Sequence, residues 1–192
     1  STTGTILLKN PNSSLTISGD GTVRLGSNIT TTNGLIDINE NITLTANSTI
    51  SSGTGTGAGN INVGTTTTPC TIDSDETARA LTLTAGTGNI TLTGAVGATN
   101  PLASLTITSS EALTFGSSLN VTGALTQSAA ATGATTFTGV VSIGSGTLWG
   151  TTFDIKNSFT VTDGDLAITN SGELSTTGTI LLKNPNSSLT IS

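Results

Sequence analysis

The chain has 192 residues, of which 33% are hydrophobic, 3% aromatic and 8% charged, with a formal net charge of −6 and an isoelectric point near 4.1. Five Lys and Arg in all fall short of the clustered cations that phosphate-backbone binding needs, and no apolar run approaches the roughly 20 residues of a membrane helix. Nucleic acid is therefore not expected as a partner, and no membrane-spanning helix is expected.

Glycine (24 residues) and threonine (44) dominate, while histidine, methionine and tyrosine are absent. Thr, Val and Ile favour pleated strands, Gly and Asn favour turns, and the strong helix formers are scarce, so an all-β fold is predicted. Disorder is expected of chains with few apolar residues and high net charge. Here the net charge is modest and the apolar residues are evenly spaced, which favours packed strands.

In chain order, the recurring unit is an apolar residue, one small or polar residue and a second apolar residue. It occurs at Leu15-Thr16-Ile17, Val23-Arg24-Leu25, Ile36-Asp37-Ile38, Ile42-Thr43-Leu44, Ile61-Asn62-Val63, Leu81-Thr82-Leu83 and Ile90-Thr91-Leu92. It continues at Leu105-Thr106-Ile107, Leu113-Thr114-Phe115, Leu119-Asn120-Val121, Phe153-Asp154-Ile155, Phe159-Thr160-Val161, Leu166-Ala167-Ile168 and Ile180-Leu181-Leu182. Such alternation marks a strand with one buried face. Residues 51–60, 64–69, 73–79, 95–101 and 128–136 break the rhythm and are predicted as loops. Pro11, Pro69, Pro101 and Pro185 all lie outside the apolar pairs, as a strand ladder requires.

Residues 1–18, STTGTILLKNPNSSLTIS, recur without change at 175–192, an offset of 174 residues. Fixed-period identity is the mark of repeat architecture. Residues 1–174 are accordingly expected to form one tandem repeat unit of a continuous β-solenoid, and 175–192 the start of the next. About 22 strands per unit, taken three to a coil, give seven or eight coils of roughly 20–22 residues, and with rungs about 4.8 Å apart one unit advances about 35–40 Å. On this reading the two copies are equivalent rungs one repeat apart.

Candidate sites are weak in chemistry. The glycine-rich stretch 51–60 lacks the Lys-Ser/Thr of a phosphate loop. Asp73-Ser74-Asp75-Glu76 and Asp163-Gly164-Asp165 gather oxygen ligands without matching a calcium loop. Serines have no histidine to act as base, and Lys9 and Lys156 adjoin no Ser-Lys motif. Cys70 reads as a small inward residue, with a disulfide between fibres as the alternative. Thr-x-Thr occurs at residues 43, 82, 91, 106 and 160, with gaps of 39, 9, 15 and 54 residues, too irregular for a threonine face repeated once per coil. Asn-x-Ser/Thr occurs at Asn12, Asn28, Asn41, Asn47, Asn89 and Asn120. No catalytic, cofactor-binding or metal-binding residue is expected.

The runs GNINVG (59–64), GNITLTG (88–94) and LTITSSEALTFGSSLNVTGALTQ (105–127) resemble the β-helical repeat regions of large bacterial surface proteins, filamentous haemagglutinin-like exoproteins and autotransporter passengers. Asn10-Pro11-Asn12 is similar to an asparagine-proline motif of the secretion domain of such exoproteins, although here it recurs at 184–186 inside the repeat, as a turn would. The resemblance implies a right-handed parallel β-helix, secretion, an extracellular or cell-surface location and an adhesive or structural role. Its partners would be adjacent identical repeats or subunits along a fibre, lateral fibre contacts, or host glycans. The alternative is a polysaccharide-binding or polysaccharide-cleaving β-helix of the tail-spike or lyase kind.

Overall fold

The structure, a computed structural model, describes residues 4–131 and 133–192. Every regular element among them is a strand, twenty in all from Ile6–Pro11 to Leu189–Ile191, and every strand pairing is parallel. Parallel pairing needs a crossover before the chain can return beside itself. Here the crossover is made of two further strands, so the chain winds as a three-sided coil and each strand pairs one rung above its predecessor.

Three ladders follow from the register. The first face starts Ile6, Ile29, Ile50, Leu83, Ile107 and continues from that last strand through Leu105, Leu125, Gly146, Leu166 and Leu189. The second runs Leu15, Ile36, Ile61, Ile90, Leu113, Thr135, Phe153, Leu174. The third runs Val23, Ile42, Ile72, Val96, Leu119, Val141, Phe159, Ile180. Eight complete coils and the first strand of a ninth are therefore present, a β-solenoid as the alternating pairs predict.

The inward row of each ladder is the core. Ile36, Ile38, Ile61, Val63, Ile90 and Leu92 are at most 1% exposed, and each packs against its counterparts one rung above and below, so burial is a nearest-neighbour property. Higher up the shaft phenylalanine takes over. Phe115 and Phe137 stack with ring centroids 5.1 Å apart and planes 3° apart, and Phe137 meets Phe159 edge-on at 5.3 Å and 87°, both favoured ring geometries.

Corners explain the asparagines and glycines. The side-chain Oδ1 atoms of Asn28, Asn41, Asn47, Asn60 and Asn89 accept from the backbone amides of Thr49, Thr71, Ala80, Asn89 and Ala112 at 2.9–3.2 Å, so each acts as an extra backbone carbonyl where the ladder turns. Glycines stack where the backbone enters the second face: a Cβ at Gly59 would lie 2.4 Å from the carbonyl carbon of Gly34, and one at Gly88 would lie 2.3 Å from the carbonyl oxygen of Gly59.

Successive partners Leu105, Leu125, Gly146 and Leu166 are 20 or 21 residues apart, whereas Ile50 and Leu83 are 33 apart. That longer coil contains the predicted loops 51–60, 64–69 and 73–79. Three of the predicted loops overlap strands: Ser51 closes Ser48–Ser51, Asp73 and Ser74 belong to Ile72–Ser74, and Thr135 and Thr136 open Thr135–Phe137. Val96, in the predicted 95–101 loop, bridges Ile72 and Leu119 as a one-residue rung.

The two identical segments are not equivalent rungs, and that expectation is corrected. Ile6 lies on the first face and its copy Ile180 on the third; Leu15 lies on the second and its copy Leu189 on the first. The interval contains 23 rungs, by the ladders above, and 23 is not a multiple of three.

Candidate functional site

The acidic loop uses its carboxylates internally. Asp75 forms a two-pronged pair with Arg79, Nε to Oδ1 and Nη2 to Oδ2 both at 2.9 Å, and this hydrogen bond to Arg79 is the main reason its carboxyl titrates below the usual range. Asp73 Oδ1 accepts from the amides of Thr99 and Asn100 at 2.9 and 3.2 Å, and Ser74 Oγ donates to the Pro101 carbonyl at 3.0 Å. The loop therefore fastens one coil to the next. A groove of about 550 Å³ beside it is lined by Arg24, Thr43, Asp73, Asp75, Glu76 and Asn100 among others. Among the described residues no three His, Cys, Asp or Glu side chains come together as metal ligands.

Asp163-Gly164-Asp165 also turns out to be a clamp. Asp165 Oδ1 accepts from Ser188 N at 2.7 Å and from Ser188 Oγ at 3.0 Å, and these two bonds, the backbone one first, hold its carboxyl below the ordinary value. The Asp163 carbonyl accepts from Asn184 Nδ2 at 2.7 Å and Ser187 Oγ at 3.1 Å. Both aspartates thus grip the turn of the second 18-residue copy. Lys156 pairs loosely with Asp154 at 3.4 Å. In the 51–60 stretch Gly53 and Gly57 take φ of 131° and 82°, a turn conformation that favours glycine.

Cys70 is 5% exposed and packs with the core, its Sγ 3.5 Å from the Thr68 carbonyl. Burial, aided by the nearby charge of Glu40, pushes its thiol upward. A thiol that is both buried and protonated is a poor nucleophile, so the inward reading of Cys70 describes its position.

Two surface features escaped sequence reasoning. Thr49, Thr82, Thr106, Thr126 and Thr147 are partners on consecutive rungs of the first face. The Thr-x-Thr pattern concealed this column because Thr43, Thr91 and Thr160 lie on other faces while Thr49, Thr126 and Thr147 do not belong to the pattern; the signal lay in the place of each Thr between its two inward neighbours. The other feature is the asparagine ladder, which engages Asn28, Asn41, Asn47 and Asn89, four of the Asn-x-Ser/Thr sites.

Trp149 stands outward on the first face, 41% exposed and in register with Thr169. It borders a shallow groove of about 500 Å³ lined by Ala129, Ala131, Thr151 and Asn170 among others.

These features define the class: a parallel β-solenoid with short polar loops and a continuous aliphatic and phenylalanine core. No protein-family model, curated protein or solved structure matches the chain, so the likeness to bacterial exoprotein repeats is carried by the quoted sequence runs alone.

Proposed function

We propose that the chain is a structural repeat of a long extracellular filament or cell-surface adhesin shaft, with no catalytic chemistry of its own. One observation carries this reading. The second copy of the 18-residue segment adds rungs to the stack already built, with Thr160 paired to Leu181 and Leu166 to Leu189, so repetition of the unit lengthens one shaft. Stability in such a stack grows by nearest-neighbour contacts, which suits a spacer of arbitrary length. The acidic groups Asp73 and Asp165 fasten coils together, and the outward column of the first face is built largely of threonine. Immunogold labelling of thin sections of source cells with antibodies against this chain is expected to decorate extracellular fibres; label confined to the cytoplasm would overturn the proposal.

A second reading is carried by Trp149, whose exposed indole over a shallow groove suits stacking on a sugar ring. A glycan array is the test: binding lost in Trp149→Ala would favour a polysaccharide-binding surface on the shaft, and no binding by the intact chain would remove it.

A further inference from the structure

We infer that in a tandem array of this unit each repeat sits one face round the shaft from the repeat before it, so that the sheet edge ending one unit receives the next copy of the chain in a turned position. The inference rests on the tandem-array reading and follows from a count. From Ile6 up to Ile180 the first, second and third ladders hold eight, eight and seven rungs. Twenty-three rungs on three faces leave two over. A feature on the first face of one unit therefore falls on the third face of the next and on the second face of the one after.

The turned position is not a local fault of the segment. In both copies the turn closes by the same bond, Ser13 N to Asn10 O at 3.2 Å and Ser187 N to Asn184 O at 3.0 Å. In both the central leucine points outward, Leu7 at 50% and Leu181 at 47% exposure. The neighbour differs: Leu7 pairs with Thr30 of the first face, whereas Leu181 lies on Thr160 of the third. The lower edge of the Ile6 strand in one unit is thus built to mate with the upper edge of the Phe159–Val161 strand of the unit beneath, and the partner that fits these edges is another copy of the same chain.

The threonine column and the Trp149 groove consequently appear on all three sides of the filament in rotation, returning to a given face only after three units. Three units are 23 coils, about 110 Å at a rung spacing of about 4.8 Å. A partner that binds either feature can approach from any side, and no face carries the threonine column from one unit directly into the next.

The test uses nitroxide labels on pairs of outward cysteines in the 192-residue chain with Cys70→Ser, each variant first checked for β-type circular dichroism. Neighbouring rungs place two labels close enough for strong spin exchange. Exchange is expected for Thr160→Cys/Leu181→Cys and for Ala167→Cys/Thr190→Cys, and its absence for Ala167→Cys/Leu181→Cys. Exchange in that last pair, with none in the first, would put the second copy on the first face and overturn the inference. Absence of exchange in all three pairs would overturn it as well. The interior pair Thr106→Cys/Thr126→Cys separates the two levels: exchange there with failure at 160/181 sinks the turned junction alone, whereas failure at 106/126 sinks the parallel stack on which the shaft reading stands.

Discussion

Residues 4–18 lie at the bottom of the shaft and their identical copy, 178–192, at its top, and the two are placed on different faces. Each copy makes two apolar strands joined through Asn-Pro-Asn-Ser, as alternation and turn chemistry favour, but the first strand runs Ile6–Pro11 in one copy and only Ile180–Leu182 in the other. The donors of the turn then take whatever the adjoining coil offers. Asn12 adopts φ of 62° and its amide donates to the Thr32 carbonyl one rung up at 2.7 Å, whereas the amide of Asn186 donates to Asn184 Oδ1 at 3.0 Å. Local sequence decides where strands form, the adjoining coil decides how far they extend, and the number of intervening rungs decides the face.

The strongest way to break the link between the copies is to hollow the shaft between them. Phe137 is fully buried between Phe115 and Phe159, and Phe137→Ala is expected to cost about 3–5 kcal/mol, seen as a lowered denaturant midpoint. A loss below about 1 kcal/mol would mean that the phenylalanines do not form one packed column.

A direct comparison of the copies comes next. Ile17 packs on the core beneath Ile38, whereas its counterpart Ile191 is 50% exposed. Ile17→Ala is expected to cost about 1–2 kcal/mol and Ile191→Ala no more than about 0.5 kcal/mol. Equal losses in thermal unfolding would contradict the different coverage of the two segments.

The corner ladder offers a smaller effect. Removing the Asn89 carboxamide leaves the Ala112 amide without its 3.2 Å acceptor, at a cost of about 0.5–1 kcal/mol. Asn89→Asp, which keeps an acceptor oxygen, should recover most of the lost melting temperature, and a failure to recover would show that the side chain acts by shape.

The smallest effect separates the copies by pH. Asp165 holds Ser188 of the second copy, and its carboxyl is depressed by those bonds. A depressed carboxylate stabilises above its unfolded value of about 3.9 and loses that contribution as pH falls through the folded value. Protection of the amides of residues 188–191 against hydrogen exchange, taken relative to the intrinsic rate at each pH, should therefore fall below about pH 4, with Asp165→Ala showing the fall already at neutral pH. An unchanged pH profile in that variant would deny the clamp.

Much of the fold was legible. Leu113–Phe115, Phe153–Ile155 and Phe159–Val161 match the alternating pairs residue for residue. Rungs were hidden where a polar residue takes an inward place: Ser48 and Thr135 are 4% and 1% exposed, and Gln127 is 1% exposed with its Nε2 bonded to Thr135 Oγ1 at 2.8 Å. Others were hidden by strands that bend round a corner without a break, as Leu15–Leu25 does through its register shift between Ser18 and Thr22. An error of one rung rotates everything beyond it by one face, so an estimate of about 22 strands could give the coil but not the placement of the second copy. The clamps at Asp75 and Asp165 were visible as acidic clusters, yet their partners lie one coil or several residues away, at distances that only the winding of the chain sets.

The central claim is that repetition of this unit lengthens a single shaft. Small-angle X-ray scattering from chains of one, two and three units tests it most directly: the maximum dimension should grow by about 37 Å per unit, from 23 rungs at three per coil and about 4.8 Å per coil, while the cross-sectional radius stays constant. Growth in the cross-section, or a length increment that departs from this value with each added unit, would contradict the account.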